Sequence, residues 1–342
     1  MNIRGDSLDD LLRSVYRRIV RDGMNISPRK GDAREIIGAK LTLTNPRARF
    51  SRAESRSILF SCLGEFTWIL SGSESLSQIA YYISRYRELS NDGLILRGAY
   101  GPRIFGGGAN SQFNQIARAL SRNTDSRQNV IQIFDPEDLA DDNLDVPCTC
   151  TMQFFKRQNR LHMMVSMRSN DAFIGMPHDI FCFTMLQEIM TRRIGCELGE
   201  YHHVAGSLHL YDADRGKAQQ YLGESVQSRL AMPAMPIGDP TEAVARLVEL
   251  ERLYRTGAVE DFTVDGLEPY WADLARLLMA KRLFVEHRRG AMRQIRSEMH
   301  SPVYDAYIRG EHDRLAAREA RRAAQMQLPN LELVVGADDE AK

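Results

Sequence analysis

The chain has 342 residues, 43% of them hydrophobic, and is long enough to build one large core or two ordinary ones. Its 45 basic and 45 acidic side chains give a formal net charge of zero, which argues against bulk binding of nucleic acid. No apolar run reaches the roughly 18 residues of a membrane span, and the charged N-terminal segment predicts no signal peptide.

The first predicted element is an amphipathic helix that begins after Ser7 and ends at Gly23. Serine is a good N-cap and glycine a common helix stop. Apolar side chains recur between them at three- and four-residue spacings, at Leu8, Leu11, Leu12, Val15 and Ile19. The β-branched segment at residues 34–43 then predicts a strand.

Residues 56–70 are nearly all apolar and predict a buried helix that carries Glu65 inside it. A carboxylate in such a setting is costly unless it is paired or takes part in chemistry. Glu65 is therefore either a buried ion-pair partner or a functional acid, and both interpretations stay open. A second helix is expected at residues 75–88, and a glycine-bounded turn at residues 98–102 carries Tyr100.

The remaining pattern predicts helices at residues 113–120 and 180–193 and strands at 129–134, 152–155, 161–167 and 201–211. Residues 241–328 have a helical pattern throughout, and residues 329–342 resemble a loosely held terminus. We expect an α+β fold, with a mixed or antiparallel sheet packed by helices on one side. The expected division is a first domain at residues 1–240 and a helical C-terminal extension at residues 241–342.

Cys148 is the candidate nucleophile. It stands between Pro147 and a predicted strand, where it can be held at a cavity wall, and nearby arginines would favour the reactive thiolate. A free cysteine is more often a small buried apolar residue. The five cysteines are scattered and odd in number, which argues for a reducing cytoplasm rather than a disulfide framework. Cys148 and Cys150 lack the second ligand pair of a zinc site.

Other polar residues cluster around the predicted strand ends. Arg168 and Ser169 open an RSND turn and combine a guanidinium with a hydroxyl, which suits a phosphate, although a surface ion pair is the simpler interpretation. His209 and Tyr211 alternate along a strand and therefore share a face. They are suited to a sugar hydroxyl, or they form a satisfied core pair. Asp179, which follows the RSND segment in the chain, is an isolated acid on a predicted turn.

Taken together, these motifs resemble the thymidylate synthase family. In the family's order they are WILSG after Glu65, GAYG around Tyr100, DSR before a strand, PC-x4-QF, RSND-x3-G-x-P and GS-x-H-x-Y. The resemblance runs from about residue 27 to residue 211. Within the family, residues 35–39 (EIIGA), 148–151 (CTCT) and 167–171 (MRSND) are similar to the hydroxymethylases that act on dCMP or CMP.

The resemblance implies a thymidylate synthase-like fold and a mechanism. Cys148 would add to C6 of a pyrimidine nucleotide, and C5 would then attack the methylene carbon of 5,10-methylenetetrahydrofolate. Glu65 would relay protons through water. In the hydroxymethylase branch water captures the exocyclic methylene group, whereas in the synthase a hydride from the folate captures it.

The resemblance also implies which residues bind the substrates. The phosphate would be held by Arg168, Ser169, Arg29 (rather than Arg34) and, reaching in from the second subunit of a homodimer, Arg127.

On the same basis, His209 and Tyr211 would bind the sugar, Tyr100 would contact the substrate, and Asp171 would lie near the folate. From the charge balance, the hydropathy and the cysteine spacing we expect no metal ion and no nucleic-acid or membrane partner.

Asp179 stands where the synthases carry an asparagine that donates to uracil O4 and accepts from N3–H. An ionised carboxylate only accepts hydrogen bonds, so it would repel O4 of uracil but suit the amino group and a protonated N3 of cytosine. A site built around one hydrogen-bonding pattern can reject the wrong base by roughly 10⁴-fold. The expected substrate is therefore dCMP or CMP, and ribose and deoxyribose are not separated.

Some residues depart from the family pattern. Thr149 follows the nucleophile where the synthases have histidine, and Gln128 replaces the family's second arginine from the partner subunit. A long charged helical segment stands where the family has a short apolar C-terminus that closes over the folate. Two alternatives therefore stay open, a thymidylate synthase with an altered base pocket and a catalytically silent nucleotide-binding regulator.

Overall fold

The computed structural model describes residues 1–51, 58–140, 142–225, 230–259 and 263–326. Its strands are β1 (Asn2–Gly5), β2 (Met24–Ile26), β3 (Ala33–Leu43), β4 (Val130–Gln132), β5 (Thr149–Arg157), β6 (Arg160–Asp171) and β7 (Glu197–Tyr211). Within these ranges they form one seven-stranded mixed sheet in the order β1-β3-β7-β6-β5-β4, with β2 paired to β3. The pairs β1–β3 and β6–β7 are parallel, and the other pairs are antiparallel.

The helices that surround the sheet are α1 (Leu8–Asp22), α2 (Leu59–Leu70), α3 (Leu76–Tyr82), α4 (Tyr100–Phe105), α5 (Gln112–Arg122), α6 (Gly175–Arg193) and α7 (Asp212–Gly223). The C-terminal helices are α8 (Thr241–Thr256), α9 (Pro269–Val285), α10 (Arg289–Ser297) and α11 (Asp305–Met326). Helices α8 and α9 pack against each other and against α2, while α10 and α11 pack on α9.

Helix α1 shows how local sequence sets an element's limits. The Ser7 hydroxyl accepts the N–H of Asp10 at 3.1 Å, and the Asp10 carboxylate accepts the N–H of Ser7 at 3.1 Å. This capping box satisfies two donors that a helix start otherwise leaves unpaired. Gly23 ends the helix by donating its N–H to Ile19 O at 2.9 Å. The predicted limits of this helix are confirmed.

Helix α6 lies at the centre of the fold. Every residue from 176 to 191 except Asp179 is buried, because the sheet strands β6 and β7 cover one side of the helix and α2 covers the other. A helix that is buried all round needs no amphipathic pattern. The one position that stays partly open, Asp179, lies near its N-terminus.

The expected α+β architecture with a mixed sheet is confirmed, but four local predictions were wrong. Tyr100, expected in a turn at residues 98–102, is the first residue of helix α4. The predicted helix at residues 75–88 breaks at Ile83, which is extended (φ −134°, ψ 89°), and continues as a 3₁₀ turn over Ser84–Glu88. The RSND segment is the end of β6 rather than a turn, because it pairs with β7. Asp179 lies inside α6 and not on a turn.

Of the predicted segments, residues 56–57, 260–262 and 327–342 lie outside the described residues. In the part of the chain that the structure describes, no helix is long and apolar enough to cross a membrane. The division at residue 240 stays a prediction.

Gly64 is required where α2 meets α3. A Cβ atom at this position would lie 2.1 Å from Cγ of Tyr82, whose ring is held in place by a hydrogen bond to Glu251. We expect Gly64→Ala to lower the free energy of unfolding by about 1–3 kcal/mol, because the packed ring has no room to move. Urea denaturation followed by circular dichroism measures this.

The matched control is Gly216→Ala in α7, where a Cβ atom would meet nothing within 4 Å. At this exposed helical position alanine should be neutral or stabilise by up to about 1 kcal/mol. Equal effects of the two substitutions would contradict the packing argument.

Candidate active site

One cleft collects most of the residues singled out by the sequence. Its main lobe, of about 450 Å³, lies where the end of β6, the end of β7 and the start of α6 meet the segment before β5. A second lobe of about 360 Å³ extends toward Trp68 and residues 143–147. The wall shared by both lobes is formed by Glu65, Tyr86, Tyr100, Cys148 and Arg168, with Arg29, Lys30 and Leu89.

Cys148 is held at this wall by β6. It precedes β5, and its carbonyl oxygen accepts the N–H of Arg168 at 2.9 Å. The Arg168 guanidinium donates to Pro147 O and Val146 O, both at 2.8 Å, and so fixes the segment that carries the cysteine. Arg168 therefore positions the thiol and brings a positive charge to the cleft.

The sequence predicted that nearby arginines favour the thiolate of Cys148, but its surroundings favour the thiol. Burial raises the pKa of the Cys148 thiol, and this effect exceeds the opposite effect of the nearby Arg168 charge. Asp179 adds to the rise, because a second negative charge is unfavourable there. In the free protein, Cys148 is therefore a thiol at neutral pH.

Glu65 faces the cleft from the buried helix α2. Its Oε1 accepts a hydrogen bond from the Tyr86 hydroxyl at 2.5 Å. Its Oε2 is buried and makes no hydrogen bond to any described residue. Burial, followed by the charge of Glu65, raises the pKa of Tyr86 well above its usual value, so Tyr86 remains a donor. The carboxylate is thus held by one oxygen, and the other is available for a ligand or water.

Asp179 lies at the base of the cleft and accepts a hydrogen bond at Oδ2 from Asn170 Nδ2 at 2.7 Å. Burial raises the pKa of its carboxyl well above the usual range, and the neighbouring Glu65 raises it further. The Asn170 hydrogen bond opposes this shift without cancelling it. This shift favours the neutral acid, whereas the sequence led us to expect an acceptor-only carboxylate.

The Asn170 amide is itself fixed by two buried side chains. Asn170 Oδ1 lies 2.9 Å from His203 Nε2, and His203 Nδ1 lies 2.9 Å from the Tyr201 hydroxyl. Burial lowers the pKa of His203 to about 4, so the ring is neutral. Asn170, His203 and Tyr201 form a continuous polar chain beneath Asp179.

The end of β7 supplies a second polar wall. A Cβ atom at Gly206 would approach Arg168 O to 2.9 Å, so only glycine allows the two strands to come this close. Beyond this glycine, Ser207, His209 and Tyr211 line the cleft. The Ser207 hydroxyl donates to the carboxylate of Glu35 on β3.

His209 lies close to Ser169, with 3.5 Å between its Nδ1 and Ser169 Oγ, and its ring packs edge-on against Tyr211 at 4.9 Å. Burial lowers the pKa of His209, so it is neutral at neutral pH. Asp171 caps the start of the following turn, because its Oδ1 accepts the N–H of Phe173 at 2.9 Å. These residues give the lobe hydroxyl and imidazole groups that suit a sugar.

Of the predicted site residues, only Arg127 does not line the cleft. It is exposed in the loop before β4, and its carbonyl accepts a hydrogen bond from Gln153. For the N-terminal arginine, Arg29 lines the cleft, whereas Arg34 donates to Val20 O at 2.5 Å.

Sequence reasoning missed several residues that line the cleft or support it: Lys30, Glu35, Arg85, Tyr86, Asn170, His178, Ser207 and His203. Asn170, Glu35 and Ser207 were part of quoted motifs and received no role, and Lys30 follows the predicted Arg29 directly. The others belong to no quoted motif and reach the site through long-range packing.

A different cluster has metal-ligand chemistry. His162, Glu200 and His202 offer ligand atoms within 4.8 Å of one another on the other face of the sheet. Several of their polar atoms are already engaged, because His162 Nδ1 accepts the N–H of Glu200 and Arg4 pairs with the Glu200 carboxylate at 2.5 Å. The Thr42 hydroxyl lies 3.1 Å from His202 Nδ1. We assign no metal to this cluster.

Comparison with known proteins adds a family match. The family model described as "Thymidylate synthase" matches residues 12–273. A deoxyuridylate hydroxymethyltransferase of Bacillus phage SP01 is 26% identical over 226 residues, which cover 62% of this chain and 59% of the relative. Proteins with the same name from Delftia phage PhiW-14 and Pseudomonas phage M6 are 27% and 34% identical.

These two alignments cover 65% and 47% of this chain and 65% and 46% of the relatives. The chain thus spans less than two thirds of the length of each of the three relatives.

The raised pKa of Cys148 predicts slow alkylation at neutral pH. Because only the thiolate reacts, the rate of modification by iodoacetamide should keep rising as the pH passes 9.0, the ordinary value for a thiol. Arg168→Gln should slow the reaction further by removing the charge that favours the thiolate. Mass spectrometry of the modified peptide gives the rates, and Cys148→Ala reports the background from the other four cysteines. A rate that levels off below pH 8 would show that the thiol is activated instead.

Proposed function

Because the chain belongs to the thymidylate synthase family, we propose that it is a folate-dependent transferase that adds a one-carbon unit to C5 of a pyrimidine nucleoside monophosphate. The proposed reaction is 5-hydroxymethylation. The observation that carries the proposal is the convergence of the Cys148 thiol and the carboxyl groups of Glu65 and Asp179 on one cleft. Such a set suits covalent attack on a base combined with proton transfer.

The roles follow from the contacts. Cys148 attacks C6 of the base, so that C5 becomes nucleophilic. Glu65, held by Tyr86 through Oε1, handles protons through its free Oε2. Arg168, Ser169 and Arg29 hold the phosphate, and the charge of Lys30 adds to the grip.

His209 and Tyr211 bind the sugar. Tyr100 lines the cleft together with Cys148 and Asp179.

The cleft also suits the co-substrate 5,10-methylenetetrahydrofolate. Two connected lobes of about 450 and 360 Å³ offer room for two reactants that share one wall. Ile83, Leu89 and Ile174 provide apolar surface for a flat ring system, Arg85 offers a cation, and Asp171 lies beside them. When bound, the co-substrate supplies the one-carbon unit.

Asp179 favours a cytosine base. A neutral carboxylic acid donates one hydrogen bond and accepts another. It can donate to N3 of cytosine and accept from the 4-amino group, with no charge left unpaired. Transfer of that proton to N3 gives the ion pair expected from the sequence, so both descriptions contain one shared proton. Uracil requires the opposite arrangement, with a donor facing O4 and an acceptor facing N3–H.

The relatives' names favour a second candidate, deoxyuridylate hydroxymethylation. All three carry that name, at 26%, 27% and 34% identity. A neutral Asp179 with its proton directed at O4 would accommodate uracil. We retain cytidylate as the proposed substrate and deoxyuridylate as the alternative that the experiment must decide.

A homodimer formed through the open face of the sheet is part of the proposal. Ile37 and Val130 on this face are 66% and 38% exposed, and Phe155, Met164 and Val204 are half-buried there. Burial of such apolar surface in a second copy would be favourable.

Incubation with dCMP, CMP or dUMP and methylenetetrahydrofolate tests the substrate. We expect a clear preference for the cytidylates in kcat/KM, and Asp179→Asn should move activity toward dUMP, because an amide donates to O4. Mass spectrometry of the products separates hydroxymethylation from methylation by the added oxygen atom. A wild-type preference for dUMP would reject the cytidylate assignment.

Cys148→Ala is the control for the chemistry. It should abolish the exchange of tritium from C5, since that exchange requires attack at C6. A wild-type protein that binds nucleotides without exchange or turnover would instead be a catalytically silent regulator.

Coexpression of two inactive variants tests whether Arg127 acts across a dimer. If Arg127→Ala and Cys148→Ala chains pair, one site of each mixed dimer regains both residues. We expect recovery of about one quarter of the wild-type activity, because about half of the dimers are mixed and each has one intact site. No recovery, despite mixed dimers seen by native mass spectrometry, would show that Arg127 does not act across the dimer.

A further inference from the structure

The polar chain beneath Asp179 has a single direction. His203 is neutral, so one ring nitrogen donates and the other accepts. The structure places Asn170 Oδ1 2.9 Å from His203 Nε2, and with this orientation of the amide Nε2 is the donor. His203 Nδ1 is then an acceptor, and the Tyr201 hydroxyl donates to it at 2.9 Å.

This direction reaches the carboxyl group of Asp179. Since the Asn170 carbonyl oxygen is engaged by His203, the amide turns its N–H toward Asp179 Oδ2. Asn170 and His203 are largely or fully buried (3% and 0% exposed), so water does not compete for these contacts.

The direction of these hydrogen bonds matters because a protonated Asp179 can complement the hydrogen-bonding groups of either cytosine or uracil. With its proton on one oxygen it offers the donor–acceptor pattern that cytosine needs, and with the proton on the other oxygen it offers the pattern for uracil. The carbonyl oxygen is the better acceptor, so a donor held against Oδ2 favours the proton on Oδ1. Without such a donor, neither oxygen of the carboxylic acid is preferred as the site of the proton.

We propose that Asn170, oriented by His203 and Tyr201, is a positioning residue that fixes which oxygen of Asp179 carries the proton and thereby sets the choice between cytosine and uracil nucleotides. This inference rests on the proposed function, since it concerns the base that Asp179 contacts. It assigns a role in specificity to three buried residues, of which His203 and Tyr201 do not line the cleft.

The test is the ratio of kcat/KM for dCMP to that for dUMP. A loss of folded protein lowers both values equally and leaves the ratio unchanged, so the ratio responds to specificity alone. We expect Asn170→Leu to move the ratio toward one by about tenfold, the effect of one buried hydrogen bond on an equilibrium. His203→Leu should act in the same direction, because it frees the Asn170 amide to rotate.

His203→Gln is the conservative variant that should rescue the ratio, since its amide nitrogen can replace Nε2 as a donor. His202→Gln is the matched control, because His202 is the next residue on β7 and faces the other side of the sheet. If Asn170→Leu does not fold, Tyr201→Phe removes a single hydroxyl and should shift the ratio in the same direction by a smaller factor. A ratio unchanged in the folded variants would overturn the proposal.

Calorimetry with dCMP and dUMP separates this outcome from a failure of the proposed function. If the wild-type protein turns over neither nucleotide, the proposed reaction is wrong, and the ratio of the two Kd values then decides the inference in the same variants. A protein that binds neither nucleotide would overturn both.

Discussion

The burial of α6 between the sheet and α2 is the constraint on which the site depends. The helix is buried on all sides, which fixes its place in the core. Its first turns nevertheless bring the polar side chains of His178 and Asp179 toward the interior. Each needs a partner, since an unpaired buried polar group costs about 1–3 kcal/mol. Ser61 lies 2.9 Å from His178 Nε2, and Asn170 donates to Asp179.

The strand pairing explains how distant motifs become one site. The antiparallel pairing of β5 and β6 sets Cys148 beside Arg168, through the hydrogen bond between their backbones. The parallel pairing of β6 and β7 sets Asp171 opposite His209. Neither contact is local in sequence, yet both follow once the strand order is given. The cleft is therefore a property of the register of three strands, and the side chains only complete it.

Local patterns were sufficient for elements whose limits are set by neighbouring residues, as at Ser7 in α1. They failed where strand pairing across the sheet determines whether a segment is a strand or a turn. Arg168 has the turn-forming neighbours serine, asparagine and aspartate, but β7 holds it in a strand. The catalytic candidates came from the resemblance to a family, which conveys long-range proximity that composition and spacing lack. Tyr86 and His203 belong to no quoted motif, so their contacts with Glu65 and Asn170 needed the structure.

The C-terminal helices support the cleft as well as extending the fold. Glu251 of α8 is fully buried and accepts hydrogen bonds from Tyr82 and Gln78 of α3, at 3.0 and 3.2 Å. Helix α3 leads directly into the 3₁₀ turn that carries Tyr86, the donor to Glu65. The carboxylate of Glu251 would be costly to bury without these partners and the nearby Arg255. Helix α8 thus fixes the position of α3, and through α3 it supports the cleft wall that holds Glu65.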